Sequence, residues 1–240
     1  MNSPTDPSAT TVPTPPLPLE RAVLLGVEGV MTVTLVRHGQ QVPQSGPTYD
    51  AAASVDPPLS QLGRAQADAV AALLADDPVD AVACSPLLRA HDTARRIADR
   101  HGLEPSVHRD LREVETFRYL PDDVPADQPS EVVLAGIRER FLTRPGWDLY
   151  PWSERSAEFR HRVSSAIEGL IALHRGARHL VIVSHGGVMN GYLADVLGIG
   201  PDLFFLPAHT SVSRVRAGDG RRALDSLNDT RHLRPDHVTH

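Results

Sequence analysis

Six residues, His179–Ser184 (HLVIVS), hold an unbroken apolar core, Leu180-Val181-Ile182-Val183, between two segments with helical spacing. A run this short and this apolar, flanked by helices, reads as a strand buried on both faces, which is the parallel-sheet signature. The same alternation recurs along the chain. Met31–Val36 (MTVTLV) and Asp80–Cys84 read as further strands, with a brief one near Ser106–His108. Ser60 reads as the N-cap of a helix reaching about Ala75, with Leu62, Ala65, Ala69 and Leu73 on one face. Pro86 is expected in the first turn of a helix reaching about Arg100. Glu154–His174 reads as a long amphipathic helix, and Gly187–Leu197 as a helix stopped by Gly198. Ser211–Val215 and Arg222–Leu227 close the pattern as a last pair of strands. The expected fold is α/β: a three-layer αβα sandwich with a mainly parallel central sheet.

Outside this pattern the chain reads differently. Residues 1–20 are rich in Pro, Thr and Ser and cannot bury enough apolar surface to fold. No basic region precedes an apolar run there, so they are not a signal peptide. Because Met31 opens the first strand, it is also a natural start, and residues 1–30 are expected to be a disordered or non-essential extension. One domain then covers 31–228, and 229–240 is expected to be a mobile tail. Within the domain, 116–153 holds several prolines, both tryptophans and mixed charges, and reads as an inserted cap with a short helix near 130–141.

Charge narrows the chemistry. All 24 basic residues are arginine. Without lysine there is neither a Walker-type phosphate loop nor a Schiff-base lysine, so any anion site relies on arginine forks, histidines or backbone amides. A net charge of −6 gives no basic field for nucleic acid, and no apolar stretch is long enough to span a membrane. The one cysteine, Cys84, excludes an internal disulfide and fits a reducing, cytoplasmic setting.

The strand ends carry the candidate site. The first strand runs into Arg37-His38-Gly39, the second into Ser85-Pro86-Leu87-Leu88-Arg89, and the later one into Ser184-His185-Gly186-Gly187. Parallel strands point the same way, and ligands bind beyond their carboxyl ends. Two guanidinium groups and two imidazoles therefore converge on one edge. Like charges gathered in this way call for an anion, and a phosphoryl group offers oxygens that match bidentate arginine. Gly39 and Gly186 allow the backbone to approach closely, and the amides opening the helix after His185 add partial positive charge.

These blocks resemble those of the histidine phosphatase (phosphoglycerate-mutase-like) superfamily. Leu35-Val36-Arg37-His38-Gly39 is similar to its opening signature, and Cys84-Ser85-Pro86-Leu87-Leu88-Arg89-Ala90 to its second block. Asp110-Leu111-Arg112-Glu113 resembles the acid-bearing block, and Val183-Ser184-His185-Gly186-Gly187 the late histidine block. Asp56–Gly63 matches a common helix-opening pattern. The resemblance implies that His38 becomes phosphohistidine and that Arg37 and Arg89 clamp the phosphoryl oxygens. It further implies that His185 stabilises the transition-state charge and that Glu113 protonates the leaving oxygen. Gln44 falls where relatives place a phosphate-contacting asparagine, and Gly186 joins it in binding substrate. Glu115, two residues on, is a rival for the acid.

A phosphatase and a mutase share these residues. The text after the acid, Glu113-Val-Glu-Thr-Phe-Arg118, departs from the mutase pattern and favours a phosphomonoester hydrolase. The resemblance implies no cofactor and no metal. The expected partners are a small phosphorylated substrate and, for assembly, a second copy in a homodimer, with neither nucleic acid nor membrane. Two other classes stay open on sequence: a non-catalytic phosphate-binding protein on the same fold, and a metal-binding protein using some of the 12 histidines. Against the latter, His232, His237 and His240 form no compact helix-spaced pair.

Overall fold

The computed structural model describes residues 17–43, 56–116, 118–119, 146–149 and 152–240, together with Gly136, Glu139 and Leu142. Six strands form one sheet in the order β3-β2-β4-β1-β5-β6. They are β1 (Met31–Arg37), β2 (Ala81–Cys84), β3 (Ser106–Val107), β4 (His179–Ser184), β5 (Val212–Gly218) and β6 (Arg221–Asp229). The first four in the sheet order run parallel. β5 turns antiparallel to β1, and β6 pairs antiparallel to β5.

Helices cover both faces, and strand alternation decides which residues meet which helix. Val33, Leu35, Leu180 and Ile182 face α4 (Ser156–Leu173) and α5 (Gly186–Leu197) through Phe159, Val163, Ile167, Val188, Met189 and Leu193. Val36, Val82, Cys84, Val181 and Val183 face α2 (Gln61–Leu73) and α3 (Leu88–Asp99) through Val70, Ala71, Ala94 and Ile97. The three-layer expectation holds, with β4 in the middle of the parallel part and wholly buried.

Helix ends follow local chemistry. The Ser60 side chain caps α2 by accepting the Gly63 amide at 2.9 Å. Gly198 ends α5 at φ 67°, a conformation that costs glycine little. Pro86 does not open α3. The helix starts at Leu88 with Leu87 as its N-cap, because the Leu87 amide donates to Ser85 Oγ at 3.3 Å and holds the chain in a turn for two further residues.

Both chain ends differ from expectation. Residues 17–30 fold: α1 (Pro18–Ala22) leads to a fully buried Leu24, Arg221 donates to the Arg21 carbonyl at 3.2 Å, and Val30 packs where a Cβ on Gly218 would sit. At the other end the tail is tied down. His209 N–H donates to the Thr239 carbonyl at 2.8 Å, and Gln66 Nε2 donates to the His237 carbonyl at 2.7 Å. Polar composition hid this, because the bonds are made to side chains and backbone far away in sequence. Of the helix expected near 130–141, only Gly136 and Glu139 are described, both helical; the rest of that stretch lies outside the described residues. Among the described residues no helix is long and apolar enough to cross a membrane.

Candidate active site

Register builds the site. Arg37 pairs with Ser184 across β1 and β4, and Cys84 with Val183 across β2 and β4. His38 and His185 therefore leave the sheet at one level, and Ser85 leaves it beside Ser184, one residue earlier. The His38 amide donates to the Ser184 carbonyl at 2.9 Å, extending the ladder by one bond before the loop departs. The rings of His38 and His185 lie with centroids 5.0 Å apart.

His38 is 3% exposed, and its tautomer is fixed by its partners. Nδ1 lies 2.7 Å from the Gly39 carbonyl, which can only accept, so Nδ1 carries the hydrogen. Nε2 then holds a lone pair, and Arg89 Nε–H donates to it at 3.2 Å. Burial pushes the His38 pKa well below its ordinary value, and the neighbouring His185, Arg89 and Arg37 push the same way; only the bond to Gly39 opposes them. The ring is neutral at pH 7, as a nucleophile requires.

His185 is fully buried at the N-cap of α5. Ser85 Oγ lies 2.7 Å from His185 Nε2, the one acceptor its hydroxyl hydrogen meets among the described residues. That leaves a hydrogen on His185 Nδ1, which is buried without a hydrogen-bond partner. Arg37 Nε is orphaned in the same way, although its Nη1 donates to the Pro207 carbonyl. Arg89, 7% exposed, also lies 3.8 Å from Asp56. Burial lowers both arginine pKa values while Glu113 raises them, so the Glu113 carboxylate sits within electrostatic reach of both forks. Buried polar groups in folded proteins are almost always paired, and orphaned donors around a neutral imidazole mark where an anion's oxygens fit.

Glu113 is positioned by backbone. Its Oε2 accepts the Gly187 amide at 3.1 Å and its Oε1 the Val114 amide at 3.0 Å. Glu115 is engaged elsewhere: Arg112 donates to it at 2.6 Å and Arg118 at 3.3 Å, and the Arg112 bond, ahead of the charges around it, holds its pKa below the usual carboxylate range. Of the two carboxylates, Glu113 is the one within electrostatic reach of the Arg37 and Arg89 forks, while Glu115 is bound by Arg112 and Arg118. Gly186 begins α5 beside Arg37, with Arg37 Nε 3.8 Å from the site a Cβ would occupy. Gln44 lies outside the described residues. Among the described residues no three His, Cys, Asp or Glu side chains are grouped to hold a metal ion.

Several contributors were not read from sequence. Thr93 Oγ1 accepts the Gly39 amide at 3.1 Å and returns its own hydrogen to the Arg89 carbonyl, tying α3 to the loop after β1. Gly39 and Gly63 interlock so closely that a Cβ on either would strike the other segment's backbone. Thr210 holds φ 56°, a strained value for a β-branched residue. Its amide donates to the carbonyls of Arg37 at 3.1 Å and His38 at 3.3 Å. His209, just before it, places its ring 5.6 Å from that of His38. The signal for Thr93 is its position one helical turn after Arg89; Thr210 and His209 carry none that is local.

Known proteins match this architecture. The family profile described as "Histidine phosphatase superfamily (branch 1)" matches residues 33–230. A Yersinia enterocolitica protein named "Probable phosphoglycerate mutase GpmB" is 28% identical over 211 residues, 85% of this chain and 95% of its own length. An uncharacterized Mycobacterium tuberculosis protein is 36% identical over 158 residues, 64% of this chain and 72% of its own. The mycobacterial glucosyl-3-phosphoglycerate phosphatase, solved with inorganic phosphate, superposes with a TM-score of 0.66 at 25% identity, over 85% of this chain and 100% of that one. Bacillus stearothermophilus YhfR shares the fold with a TM-score of 0.67 at 22% identity, over 84% of this chain and 98% of that one. The profile runs from the third residue of β1 to the residue after β6 and takes in every element that carries the cluster, and the chain belongs to the histidine phosphatase superfamily.

Proposed function

We propose that the protein is a phosphomonoester hydrolase that passes the phosphoryl group of a small phosphorylated metabolite through His38. One observation carries this reading: the Nδ1–H···O=C bond to Gly39 fixes the tautomer that leaves Nε2 as a lone-pair nucleophile, with Arg89 already bonded to it. Nε2 gives up its hydrogen bond from Arg89, whose N–H passes to a phosphoryl oxygen, and attacks phosphorus; the P–O ester bond breaks, and the departing oxygen takes its proton from Glu113. A water then gives its proton to Glu113 and attacks the phosphohistidine. The P–N bond breaks, inorganic phosphate leaves, and His38 returns to its starting tautomer. The transferring group is metaphosphate-like, so fixed positive groups supply most of the rate. Arg37 and Arg89 offer forks to its oxygens, His185 offers Nδ1–H, and the amide of Gly186 at the start of α5 adds partial charge. The reading places the enzyme in the cytoplasm, where the lone, fully buried Cys84 stays reduced.

Likeness to the glucosyl-3-phosphoglycerate phosphatase supports hydrolysis, while the name of the Yersinia relative favours transfer to a second hydroxyl. Both routes share the phosphoenzyme, so the test has two parts. An alkaline quench during turnover is expected to trap an acid-labile phosphoryl group on His38; label on any other residue refutes the nucleophile. Release of inorganic phosphate from a panel of phosphomonoesters, run beside a 3-phosphoglycerate isomerisation assay, separates hydrolase from mutase. Isomerisation outpacing phosphate release would overturn hydrolysis.

A further inference from the structure

His209 belongs to none of the sequence blocks that carry the chemistry, yet it borders the nucleophile. It sits on the irregular segment before β5, 5% exposed, with its ring centred 5.6 Å from the ring of His38. The segment is fixed there by the strained Thr210, whose amide bonds the carbonyls of Arg37 and His38.

A chain of hydrogen bonds sets the tautomer of this third imidazole. Gln66 is fully buried; its Oε1 accepts the Gln40 amide at 2.8 Å, so its Nε2 is the donor to the His237 carbonyl. The second hydrogen of that Nε2 goes to Thr239 Oγ1 at 2.9 Å. Thr239 Oγ1 keeps its own hydrogen, and the one acceptor that hydrogen meets among the described residues is His209 Nδ1, 3.0 Å away. His209 therefore carries its hydrogen on Nε2, which makes no hydrogen bond to any described residue. Burial holds the ring neutral, with a pKa of about 3, and among the charges that keep it there are Arg37 and Arg89, the two phosphate forks. His240 also acts on it from the tail.

We infer that His209 is a further substrate-contacting residue, whose Nε2–H donates to an oxygen of the phosphoryl group held beside His38, with Thr239 and Gln66 as the positioning residues that aim it. A neutral donor suits this place. It adds a hydrogen bond to the anion without adding a third fixed charge to two guanidinium groups that already repel one another. The inference rests on His38 being the phosphoryl acceptor.

The experiment uses the full chain and inorganic phosphate as the probe. Dissociation constants come from calorimetry for the parent, His209→Ala, His209→Gln and Thr239→Val, alongside thermal midpoints and p-nitrophenyl phosphate turnover. Removing one hydrogen bond to a charged group is expected to weaken phosphate binding by about ten-fold or more in His209→Ala. His209→Gln, whose amide can reach the position of Nε2, is expected to regain most of that loss. A phosphate affinity in His209→Ala within about two-fold of the parent overturns the inference, as does a glutamine variant no better than alanine. Should His209→Ala fail to fold, Thr239→Val decides, since it keeps the ring and removes only the hydroxyl that orients it. Weaker phosphate binding at an unchanged thermal midpoint supports the assignment, and unchanged binding refutes it. A parent that binds phosphate but hydrolyses no monoester sinks the hydrolase reading and leaves this measurement intact. A fully active parent with indifferent His209 variants sinks only His209.

Discussion

The amide of Gly187 donates to Oε2 of Glu113 across 3.1 Å, at a position where any Cβ would collide with the other carboxylate oxygen and come within 3.0 Å of the Trp147 ring. The first turn of α5 thus does two jobs: it closes the strand end that presents His185, and it seats Glu113. Gly187→Ala is expected to displace Glu113 while sparing the helix, where alanine is favourable. General acid catalysis contributes about 10²–10⁴-fold, and a leaving group that departs unaided needs little of it. Both Gly187→Ala and Glu113→Gln are therefore expected to slow alkyl phosphates far more than p-nitrophenyl phosphate. Steady-state rates across a series of leaving groups check this, and equal slowing throughout would remove Glu113 from the acid role.

Ser85 tests the second histidine without touching it. Among the described residues its hydroxyl is the one partner of His185 Nε2, and it is fully buried. Ser85→Ala leaves that nitrogen unsatisfied, at a cost of about 1–3 kcal/mol, and frees the ring to turn Nδ1 away from the phosphoryl position. The expected result is a fall in kcat/KM of about ten-fold or more with a smaller change in KM, because the lost interaction belongs to the transition state. A variant with parental kcat and only a lowered urea midpoint would show that Ser85 matters to stability alone.

The loop that delivers Glu113 hangs on a buried ion pair. Glu154 is fully buried, and Arg162 grips it with Nε at 2.8 Å and Nη2 at 2.6 Å. The remaining Nη1 donates to the carbonyls of Asp110 at 2.7 Å and Arg112 at 3.1 Å, just before Glu113. Arg162→Met strands the carboxylate with Arg118 alone, and breaking a buried pair in this way costs about 3–5 kcal/mol. The double variant Arg162→Met/Glu154→Leu removes both charges and is expected to regain most of that stability in urea melts. It is not expected to regain activity, because the Asp110 and Arg112 carbonyls still lack their donor. Recovery of both together would mean that the pair serves packing only.

How much of this was legible in the sequence depends on how far each residue's position is set locally. β4 could be read to the residue, because a continuous apolar run buried on both faces has one interpretation. Once the strands are parallel, the meeting of His38, Arg89 and His185 follows from their place at strand ends. Pro86 was misplaced because the turn that delays α3 is held by the side chain of Ser85, a contact that composition does not encode. His209 and Thr210 were invisible for a different reason. They reach His38 only because β5 pairs antiparallel to β1, with Val36 opposite Val212, and nothing in Pro207-Ala208-His209 announces that pairing. The tail looked free for the same cause: Thr239 and His237 find their partners in Gln66 and His209, which lie far away along the chain.

Acid is expected to unfold this protein earlier than its carboxylates would dictate. Burial holds His38 and His185 well below the ordinary histidine value and His209 at about 3, and it lowers His179 and His232 as well. In the unfolded chain each of these rings titrates near 6.5. As the pH falls below that value, the unfolded state takes up protons that the folded state refuses, so stability rises with pH and is complete only above about 7. Each excluded proton contributes a slope of about 1.4 kcal/mol per pH unit between the unfolded value and the folded one. Urea midpoints measured from pH 7.5 to 5 are expected to fall steeply below 6.5, before Asp and Glu begin to protonate. His209→Gln should reduce that slope by one proton. Inorganic phosphate should restore much of the loss, because it binds the folded state and gives the protonated imidazoles a counter-charge. A midpoint that stays level from pH 7.5 to 5 would mean that the clustered rings accept protons inside the fold, and the neutral nucleophile at His38 would go with it.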